Sequence, residues 1–309
     1  MSNRPDVTIA IVNYNTRQLT AQCLDSILTS QPKVGFEIVV VDNASSDDSA
    51  DWLEAHYPHL RLVRSSRNLG VAGGNNLGIR ASRGRYVLLL NSDTLVLPGT
   101  IDRAVKFLDT HPRVAGVGGN LINPDGTFQA GFVDFASLWQ ELLIVTKLGQ
   151  LLRPWYPAHG PSPEPREVDW MSTAFMLFRQ QAIAQVGFVD ERYFMYSDET
   201  DLQYRLKQAG WKIYYLPGLN TIHLGGRSSA SWKRRSMVYR GKLLFFYKHY
   251  GPLQTTILRF MFIAVSALKV PFWLVVCLLP GLRERARHEL ASHLEILRMC
   301  LQPGKALIL

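Results

Sequence analysis

The sequence predicts an α/β fold in which a mostly parallel central sheet carries helices on both faces. Short apolar segments rich in strand-forming residues alternate with segments of helical periodicity, which is typical of parallel sheets. The clearest strand is residues 86–90, which are all apolar, as in a strand buried on both faces. It ends abruptly in Asn91, Ser92 and Asp93, and ligands of open α/β folds bind at this carboxyl edge of the sheet.

Five strands and four helices are expected to alternate in the first part of the chain. The strands are predicted at residues 7–12, 36–41, 60–63, 86–90 and 114–117. The first helix is predicted over 18–28, because Leu19, Cys23, Leu24 and Ile27 share one face. The second is capped by Ser45 or Ser46 and ends near His56, the third follows the glycine-rich stretch 68–76 and ends at Ala81, and the fourth begins at Pro98.

The alternation stops after Leu121. Residues 123–126 predict a turn within a hairpin, and 168–178 is a further strand candidate. A short helix is predicted over 199–209, followed by a last strand over 211–216.

The positive charge is concentrated at the C-terminal end. The net charge is +9, yet residues 233–309 contain 13 Lys and Arg against 3 Asp and Glu, whereas the first 232 residues contain 21 basic and 22 acidic ones. The same end is the most apolar part, and this combination favours a membrane surface with anionic lipid over nucleic acid. We therefore expect a globular domain over residues 1–232 and a helical, membrane-associating region over 233–309.

The apolar stretch 258–279 is divided by Arg259, Lys269 and Pro271. Its uncharged pieces, 260–268 and 270–279, are shorter than the roughly 20 apolar residues of a spanning helix. We predict two helices that lie in the interface or re-enter it, with a buried helical hairpin in a soluble domain as the alternative.

Cysteine usage and the N-terminal sequence indicate the cytoplasm. Cys23, Cys277 and Cys300 lack metal-type spacing and are expected to be reduced thiols. The apolar run 7–12 is too short for a signal peptide. We expect a peripheral or monotopic protein on the cytoplasmic face of the cell membrane.

Four polar clusters fall at strand ends or in the loops that follow, at residues 13–15, 42–46, 68–78 and 91–93. Loops on one edge of a parallel sheet converge on one crevice. Tyr14 is suited to pack against a flat base, and Asp42 to accept a hydrogen bond from a base or ribose. Each cluster also has a structural interpretation: Asp42 as a turn residue, 68–78 as a helix entry, and Asp93 as the cap of the helix at Pro98.

The segments 11–16, 39–46, 68–78 and 88–94 resemble the successive motifs of glycosyltransferase family 2, closest to its bacterial rhamnosyltransferase-like branch. The resemblance runs from about Val7 to His223. It implies a GT-A fold, a nucleoside-diphosphate sugar donor and inversion at the anomeric carbon. It assigns Asp42 to nucleobase recognition and Asp93 to the metal position of an Asp-x-Asp motif, whose first aspartate is replaced here by Asn91.

The resemblance and the strand-end positions together define the expected donor and metal sites. We expect Asp93 and His223 to bind Mg²⁺ or Mn²⁺, which offsets the charge of a diphosphate leaving group. The alternative for His223 is a histidine hydrogen-bonded in a loop. The expected donor-binding residues are Asn13, Tyr14, Asn15, Asp42, Asn68, Gly70, Gly73, Asn76, Asn91, Ser92 and Arg227.

An inverting transfer also needs a base for the acceptor hydroxyl. The pair Asp198–Glu199 resembles the acidic motif of the family in reversed order, and by position Glu199 is the expected base, with Asp198 second. Alternatively, these acids stabilise a helix dipole. Trp170 and Ser172 are expected to contact the acceptor or the donor sugar.

The function expected from the sequence is glycosyl transfer to a lipid-linked or glycan acceptor in cell-surface polysaccharide or cell-wall synthesis. Two alternatives remain. Nucleotidyl transfer requires a basic, glycine-rich triphosphate loop, which residues 13–15 do not provide. A catalytically inactive sugar-nucleotide or lipid-binding protein is suggested only by Asn91 and the swapped acids at 198 and 199.

Overall fold

The computed structural model describes residues 4–225 and 231–302, with backbone alone at 231–234. These residues form two compact units. The first unit contains 4–135, 158–194 and 198–225, and the second contains 136–157, 195–197 and 231–302.

The first unit is built on one large mixed sheet. The strands of this unit are β1 Val7–Asn13, β2 Phe36–Asp42, β3 Arg61–Arg64, β4 Tyr86–Asn91, β5 Thr94–Val96, β6 Val114–Ile122, β7 Phe128–Ala130, β8 Phe132–Val133, β9 Arg166–Val168, β10 Trp170–Met171, β11 Phe175–Arg179 and β12 Lys212–His223. The order is β3-β2-β1-β4-β11-β6-β12-β5, and β8 pairs with β10 separately. β11 and β5 run antiparallel to their neighbours, whereas β1, β2, β3, β4, β6 and β12 all run in one direction.

Helices cover both faces of this sheet, as the alternating pattern predicted. The α-helices of the described residues are α1 Arg17–Ser30, α2 Ser49–His56, α3 Gly70–Ala81, α4 Thr100–Thr110, α5 Leu138–Thr146, α6 Gln180–Val186, α7 Asp198–Gln208, α8 Ser231–Val276 and α9 Arg283–Leu301. One core cluster joins Ile9 and Leu88 of the sheet to α1, α2 and α4. The other joins Ala10 and Leu89 to α3, α6 and α7. Because neighbouring residues of one strand enter opposite clusters, the central strands are apolar throughout.

Several predicted boundaries are wrong for local reasons. The second helix begins at Ser49, after Asp48, so neither Ser45 nor Ser46 caps it. The fourth begins at Thr100, after Gly99 in a left-handed conformation (φ 74°), so Asp93 does not cap it either. The strand candidate 168–178 is divided among β9, β10 and β11, while α5, α6 and β5 were not predicted.

The second unit contains a long helix that folds back on itself. Residue Gly251 in α8 has a φ of 85° and a ψ of 177°, so the helical path breaks there. The rings of Tyr239 and Phe262 lie 4.3 Å apart, whereas a straight helix would separate residues at this spacing by roughly 35 Å. The two arms, 231–250 and 252–276, therefore run side by side.

The position of this break differs from the prediction. The helix passes Arg259, Lys269 and Pro271 without interruption. The bend falls at Gly251 because its conformation is one that residues with a Cβ rarely adopt. Within the described residues, Arg235–Val276 is the one helical stretch long and apolar enough to cross a membrane by length and composition, and the bend leaves 252–276 as its apolar arm.

Candidate active site

The predicted polar clusters meet at the carboxyl edge of the sheet. Asn13 at the end of β1 pairs in register with Asp42 at the end of β2. On the other side of β1, Val12 pairs with Asn91 at the end of β4. Strand β12 runs in the same direction and ends there at His223. This arrangement confirms the predicted convergence.

Asp93 and His223 are brought together by a short strand pair. Strand β5 follows Asp93 directly and pairs antiparallel with the end of β12, so that Thr94 lies opposite His223. The backbone carbonyl of Asp93 also accepts a hydrogen bond from the Leu224 amide at 2.9 Å. As a result, Asp93 Oδ1 and His223 Nε2 lie 3.2 Å apart, with both side chains about one-fifth exposed.

Gln129 determines which nitrogen of His223 faces Asp93. The Gln129 amide donates to the His223 carbonyl oxygen at 3.2 Å and to Asn123 Oδ1 at 2.9 Å. Its Oε1 must therefore accept the hydrogen bond from His223 Nδ1, at 2.7 Å. Nδ1 thus carries a proton, and Nε2 is the ring nitrogen that faces the Asp93 carboxylate and would supply a lone pair to a metal ion.

This pair fits a divalent metal ion. The two atoms lie 3.2 Å apart, which is close enough for both to bind one cation. Neighbouring ligands of an octahedral ion with bonds of about 2.1 Å are themselves separated by roughly 3 Å. Among the residues that the structure describes, no cluster of three or more His, Cys, Asp or Glu side chains could hold a metal ion. Two protein ligands suit an ion such as Mg²⁺, which takes substrate phosphates and water for its other positions.

Asp42 is held in place by its neighbours at the same edge. It is 5% exposed. Asn13 Nδ2 donates to Asp42 Oδ1 at 2.9 Å, and the Ser45 amide donates to Oδ2 at 3.2 Å. Each carboxylate oxygen keeps a second lone pair for a ligand. Ala44, two residues later, has a left-handed φ of 62°, which is uncommon for a residue with a Cβ.

Asn13 positions this aspartate and is not free to bind a donor. Its amide donates to Asp42 and Ser45, and its oxygen accepts from Thr16 and Thr20. These four hydrogen bonds use the full capacity of the amide, and the residue is completely buried.

Other expected donor-binding amides also hold the loops together. Asn15 Oδ1 accepts from the Ser46 amide at 2.7 Å, and Asn68 Oδ1 accepts from the Gly70 amide at 2.8 Å. Asn76, which is 1% exposed, donates to the Val189 carbonyl and accepts from the Val189 amide. The side-chain oxygens of Asn15 and Asn68 and both polar atoms of Asn76 therefore hold main-chain groups, while the Asn15 residue itself stays exposed.

The glycines of the third cluster are explained by packing within the fold. A Cβ on Gly70 would lie 2.1 Å from the carbonyl oxygen of Phe194, and one on Gly73 would lie 2.5 Å from Leu69 Cβ. Both glycines are buried in α3, which begins at Gly70 rather than after the glycine-rich stretch. They permit close packing of this helix and do not line a ligand surface.

Fewer of the predicted donor-binding side chains are accessible to a ligand than the sequence suggested. Tyr14 is 46% exposed directly after β1. The Asn91 side chain is partly exposed at the end of β4, and Ser92 Oγ lies 3.3 Å from Thr16 Oγ1. Arg227 lies outside the described residues.

Glu199 and Asp198 begin α7 and have different environments. Asp198 is 2% exposed and hydrogen-bonded to Glu199, which is partly exposed. Burial and the neighbouring Glu199 charge raise the pKa of Asp198 well above its usual range. Burial keeps the Asp198 carboxyl away from solvent, whereas Glu199 is accessible, so the structure favours Glu199 over Asp198 as the predicted base. Asp201 is fully buried and binds Arg205 at 2.8 Å.

The segment after β10 connects α7 to the carboxyl edge of the sheet. Gln203, one turn after Glu199, accepts from the Met171 amide at 2.9 Å and donates to the Met171 carbonyl at 2.7 Å. Three residues further on, the carbonyl of Ala174 accepts from the Asn91 amide at 3.2 Å. The backbone of this segment therefore runs from the start of α7 to the end of β4.

Trp170 and Ser172 border the same segment. The Trp170 indole N–H donates to the Asp134 carbonyl at 3.2 Å, and Ser172 Oγ accepts from the Ala174 amide at 3.2 Å. These bonds fix both side chains, and their contact with an acceptor or sugar stays a prediction.

Two residues of the site were not identified from the sequence. Gln129 is skipped in the pairing of β7 with β6, where Ile122 pairs with Phe128 and Leu121 with Ala130. Such a bulge turns a side chain out of the regular alternation. Asn43, which is 2% exposed, links the second and third clusters by donating to the Gly70 carbonyl and accepting from the Leu69 amide. No local sequence pattern points to Gln129, whereas Asn43 lies within the predicted polar cluster at residues 42–46.

Comparison with known proteins identifies the family. The model of glycosyl transferase family 2 matches residues 8–184. An N-acetylglucosaminyl-diphospho-decaprenol L-rhamnosyltransferase of Mycobacterium tuberculosis is 31% identical over 214 residues, which cover 64% of this chain and 68% of that protein. The low-salt glycan biosynthesis hexosyltransferase Agl10 of Haloferax volcanii is 27% identical over 228 residues, covering 71% of this chain and 67% of that protein.

Solved structures share the fold at low sequence identity. The mannosyltransferase PcManGT from Pyrobaculum calidifontis, in complex with GDP-Man and Mn²⁺, has a TM-score of 0.59 at 18% identity, covering 98% of this chain and 88% of that chain. GalNAc-T7 with UDP, GalNAc and Mn²⁺ has a TM-score of 0.60 at 15% identity, covering 81% of this chain and 50% of that chain. These similarities confirm the GT-A fold. With the family match, they show that the chain belongs to glycosyltransferase family 2, on its rhamnosyltransferase-like branch.

Proposed function

We propose that this glycosyltransferase is inverting and metal-dependent, and that it transfers a sugar from a nucleoside diphosphate to a lipid-linked glycan acceptor. The observation that carries the proposal is the pair formed by Asp93 Oδ1 and His223 Nε2, 3.2 Å apart at the carboxyl edge of the sheet. Both solved neighbours were obtained with Mn²⁺ and a nucleotide or nucleotide sugar, which supports a divalent ion at this edge.

The metal pair and the donor assignments fit one diphosphate-sugar substrate. Mg²⁺ or Mn²⁺ bound by Asp93 and His223 supplies a Lewis acid that offsets the charge gathering on the leaving diphosphate. Asp42, held by Asn13 and the Ser45 amide, accepts a hydrogen bond from the base or the ribose. The exposed ring of Tyr14 packs against the base.

Glu199 is the proposed general base. Its carboxylate receives the proton of the acceptor hydroxyl as the oxygen attacks the anomeric carbon from the side opposite the diphosphate. Protonated Asp198 donates a hydrogen bond to Glu199 and orients it. Transfer through a single displacement inverts the anomeric centre, and no covalent enzyme intermediate is required.

The acceptor assignment rests on the relatives and on the second unit. The mycobacterial relative is named for a decaprenol-linked acceptor and for rhamnose. The second unit of this chain carries an apolar helical arm at 252–276. We therefore propose a lipid-linked acceptor at the cytoplasmic face of the membrane, with rhamnose as the first donor sugar to test.

A thermal-shift screen tests the donor assignment. The purified chain is heated with UDP-, dTDP- and GDP-sugars, each with and without Mn²⁺, and ligands that bind the folded state raise its apparent stability. We expect one nucleotide sugar to raise the melting temperature only when Mn²⁺ is present. Equal shifts with and without Mn²⁺ would contradict metal-dependent donor binding.

A transfer assay with the selected donor then separates the alternatives. Family membership favours glycosyl transfer over nucleotidyl transfer. Donor binding without transfer or hydrolysis would instead identify the catalytically inactive sugar-nucleotide-binding protein.

A further inference from the structure

The second unit exposes an apolar segment that lies outside its C-terminal helices. In residues 148–155, Leu148 is 51% exposed, Leu151 82%, Leu152 69% and Trp155 44%. Concentrations of exposed apolar side chains of this kind mark interaction sites. None of these four residues is assigned above to donor binding or proton transfer.

Helix α5 attaches the 148–155 segment to α8. The carboxylate of Glu141, which is 1% exposed, binds Lys242 Nζ at 2.7 Å in the first arm of α8. At the other end of α5, the Val145 carbonyl accepts a hydrogen bond from Lys269 Nζ at 3.1 Å. Because Lys269 belongs to the apolar second arm, the segment that follows α5 begins beside that arm.

The neighbouring end of α8 is also apolar and exposed. Around and beyond Lys269, Leu268 is 75% exposed, Phe272 58%, Val275 65% and Leu278 80%. The 148–155 segment and residues 268–282 therefore both start near the contact between Val145 and Lys269. Both are unusually apolar for a protein surface.

Basic residues follow this apolar end directly. Arg283, Arg285 and Arg287 are all exposed at the start of α9, with Glu284 as the acid in its first turn. The positive charge of arginines at a helix N-terminus is repelled by the positive end of the helix dipole. Anions bound from outside the protein would offset this repulsion. Apolar side chains followed by arginines match the order of acyl chains and phosphate groups at an anionic lipid surface.

We propose that the 148–155 segment inserts into the interface of an anionic bilayer together with residues 268–282. The inference rests on the membrane association proposed above and adds a second, internal contact element to the C-terminal helices. It assigns Leu151 and Leu152 to the acyl region and Trp155 to the headgroup boundary, where indole rings accumulate.

Vesicle flotation tests the proposal with the full-length protein. Vesicles of phosphatidylcholine alone are compared with vesicles that also contain phosphatidylglycerol. Leu151→Glu replaces an exposed apolar side chain, so it should leave the melting temperature unchanged. Because the variant loses an apolar contact with lipid, its binding to phosphatidylglycerol vesicles should fall about tenfold or more. The matched control is Leu28→Glu on α1 of the first unit, where Leu28 is 50% exposed, and it should float as the original chain does.

An environment-sensitive label reports insertion directly. In a Cys277→Ser background, the remaining cysteines, Cys23 and Cys300, are buried. A nitrobenzoxadiazole label on Leu151→Cys should shift its emission to the blue and become brighter on phosphatidylglycerol vesicles, whereas the same label on Leu28→Cys should not change.

The outcomes separate this inference from the proposed function. If the original chain floats, but Leu151→Glu floats equally well and the label at 151 stays in water, the inference is overturned while membrane association stands. If the original chain does not float, both membrane assignments fail, and donor binding in the thermal-shift screen still tests the enzyme. If Leu151→Glu instead converts a dimer to a monomer without changing flotation, the surface binds a second copy and the inference is wrong.

Discussion

His223 Nε2 lies 3.2 Å from Asp93 Oδ1, while Nδ1 of the same ring contacts Gln129 Oε1 at 2.7 Å. The Gln129 amide therefore orients the histidine from behind, so that Nε2 faces the carboxylate. In the proposed metal site, that relationship gives a chain with Asn91 in place of the first acid of the motif two ligands for a divalent ion. It also makes the contribution of each residue measurable.

Replacing Asp93 should abolish metal-dependent donor binding. Asp93→Asn keeps the size of the side chain but removes its charge, so Mn²⁺ affinity measured by electron paramagnetic resonance should fall by more than about tenfold. Asp125→Asn, in the exposed hairpin turn, is the matched control and should bind Mn²⁺ normally. Unchanged Mn²⁺ affinity in Asp93→Asn would contradict the metal assignment.

Replacing Gln129 should weaken the same site without a direct contact to the ion. Gln129→Leu removes the acceptor for His223 Nδ1–H, and loss of such a supporting partner lowers metal affinity by about 10–100-fold. The control is Thr127→Val, which removes hydrogen bonds of the same hairpin to Asn123 and Asp125 but none to His223. Equal Mn²⁺ affinities in the two variants would show that Gln129 acts only on hairpin stability.

Replacing Glu199 should separate chemistry from binding. Glu199→Gln cannot accept the acceptor proton, so kcat for transfer should fall by about 10²–10⁴-fold, while the donor-induced thermal shift stays unchanged. Glu54→Gln, which removes an exposed carboxylate on α2, should retain full turnover. A near-normal kcat in Glu199→Gln would show that Glu199 is not the general base.

Replacing Asp198 should change the pH dependence of stability. The raised pKa of buried Asp198 means that the folded chain binds an additional proton above the ordinary aspartate pKa of about 3.9. The free energy of unfolding therefore falls as pH rises through the interval between the unfolded and folded pKa values.

Asp198→Asn tests this by removing the titration. The amide of the new side chain still donates to Glu199, so we expect transfer to continue. Between about pH 5 and pH 8, the usual range of maximal protein stability, the melting temperature of the variant should fall less than that of the unsubstituted protein. Identical pH profiles of the melting temperature would contradict a raised pKa for Asp198.

The sequence predicted the parts of the fold that local patterns determine. Strand β4 and its polar end were recognisable because apolar and polar residues change abruptly within a few positions. The pairing of Asp93 with His223 was expected only from the family resemblance, since 130 positions separate the two residues along the chain. Its geometry depends on β5, a three-residue strand that was not predicted.

The predictions that failed depended on the direction of a side chain or on the conformation of the backbone at one residue. Asn13 and Asn76 occupy the predicted clusters, but their amides are used by groups of the protein itself. Gln129 contributes through a bulge, which cannot be located without the partner strand. The bend in α8 falls at Gly251, where a single backbone conformation outweighs the charges and the proline that divided the sequence further on.

Anomalous diffraction from a crystal grown with Mn²⁺ and the donor selected by the thermal-shift screen tests the central claim most directly. We expect a manganese peak in coordination contact with Asp93 Oδ1 and His223 Nε2, with diphosphate oxygens of the donor in its remaining positions. A bound donor with manganese elsewhere, or with no manganese near that carboxylate, would contradict it.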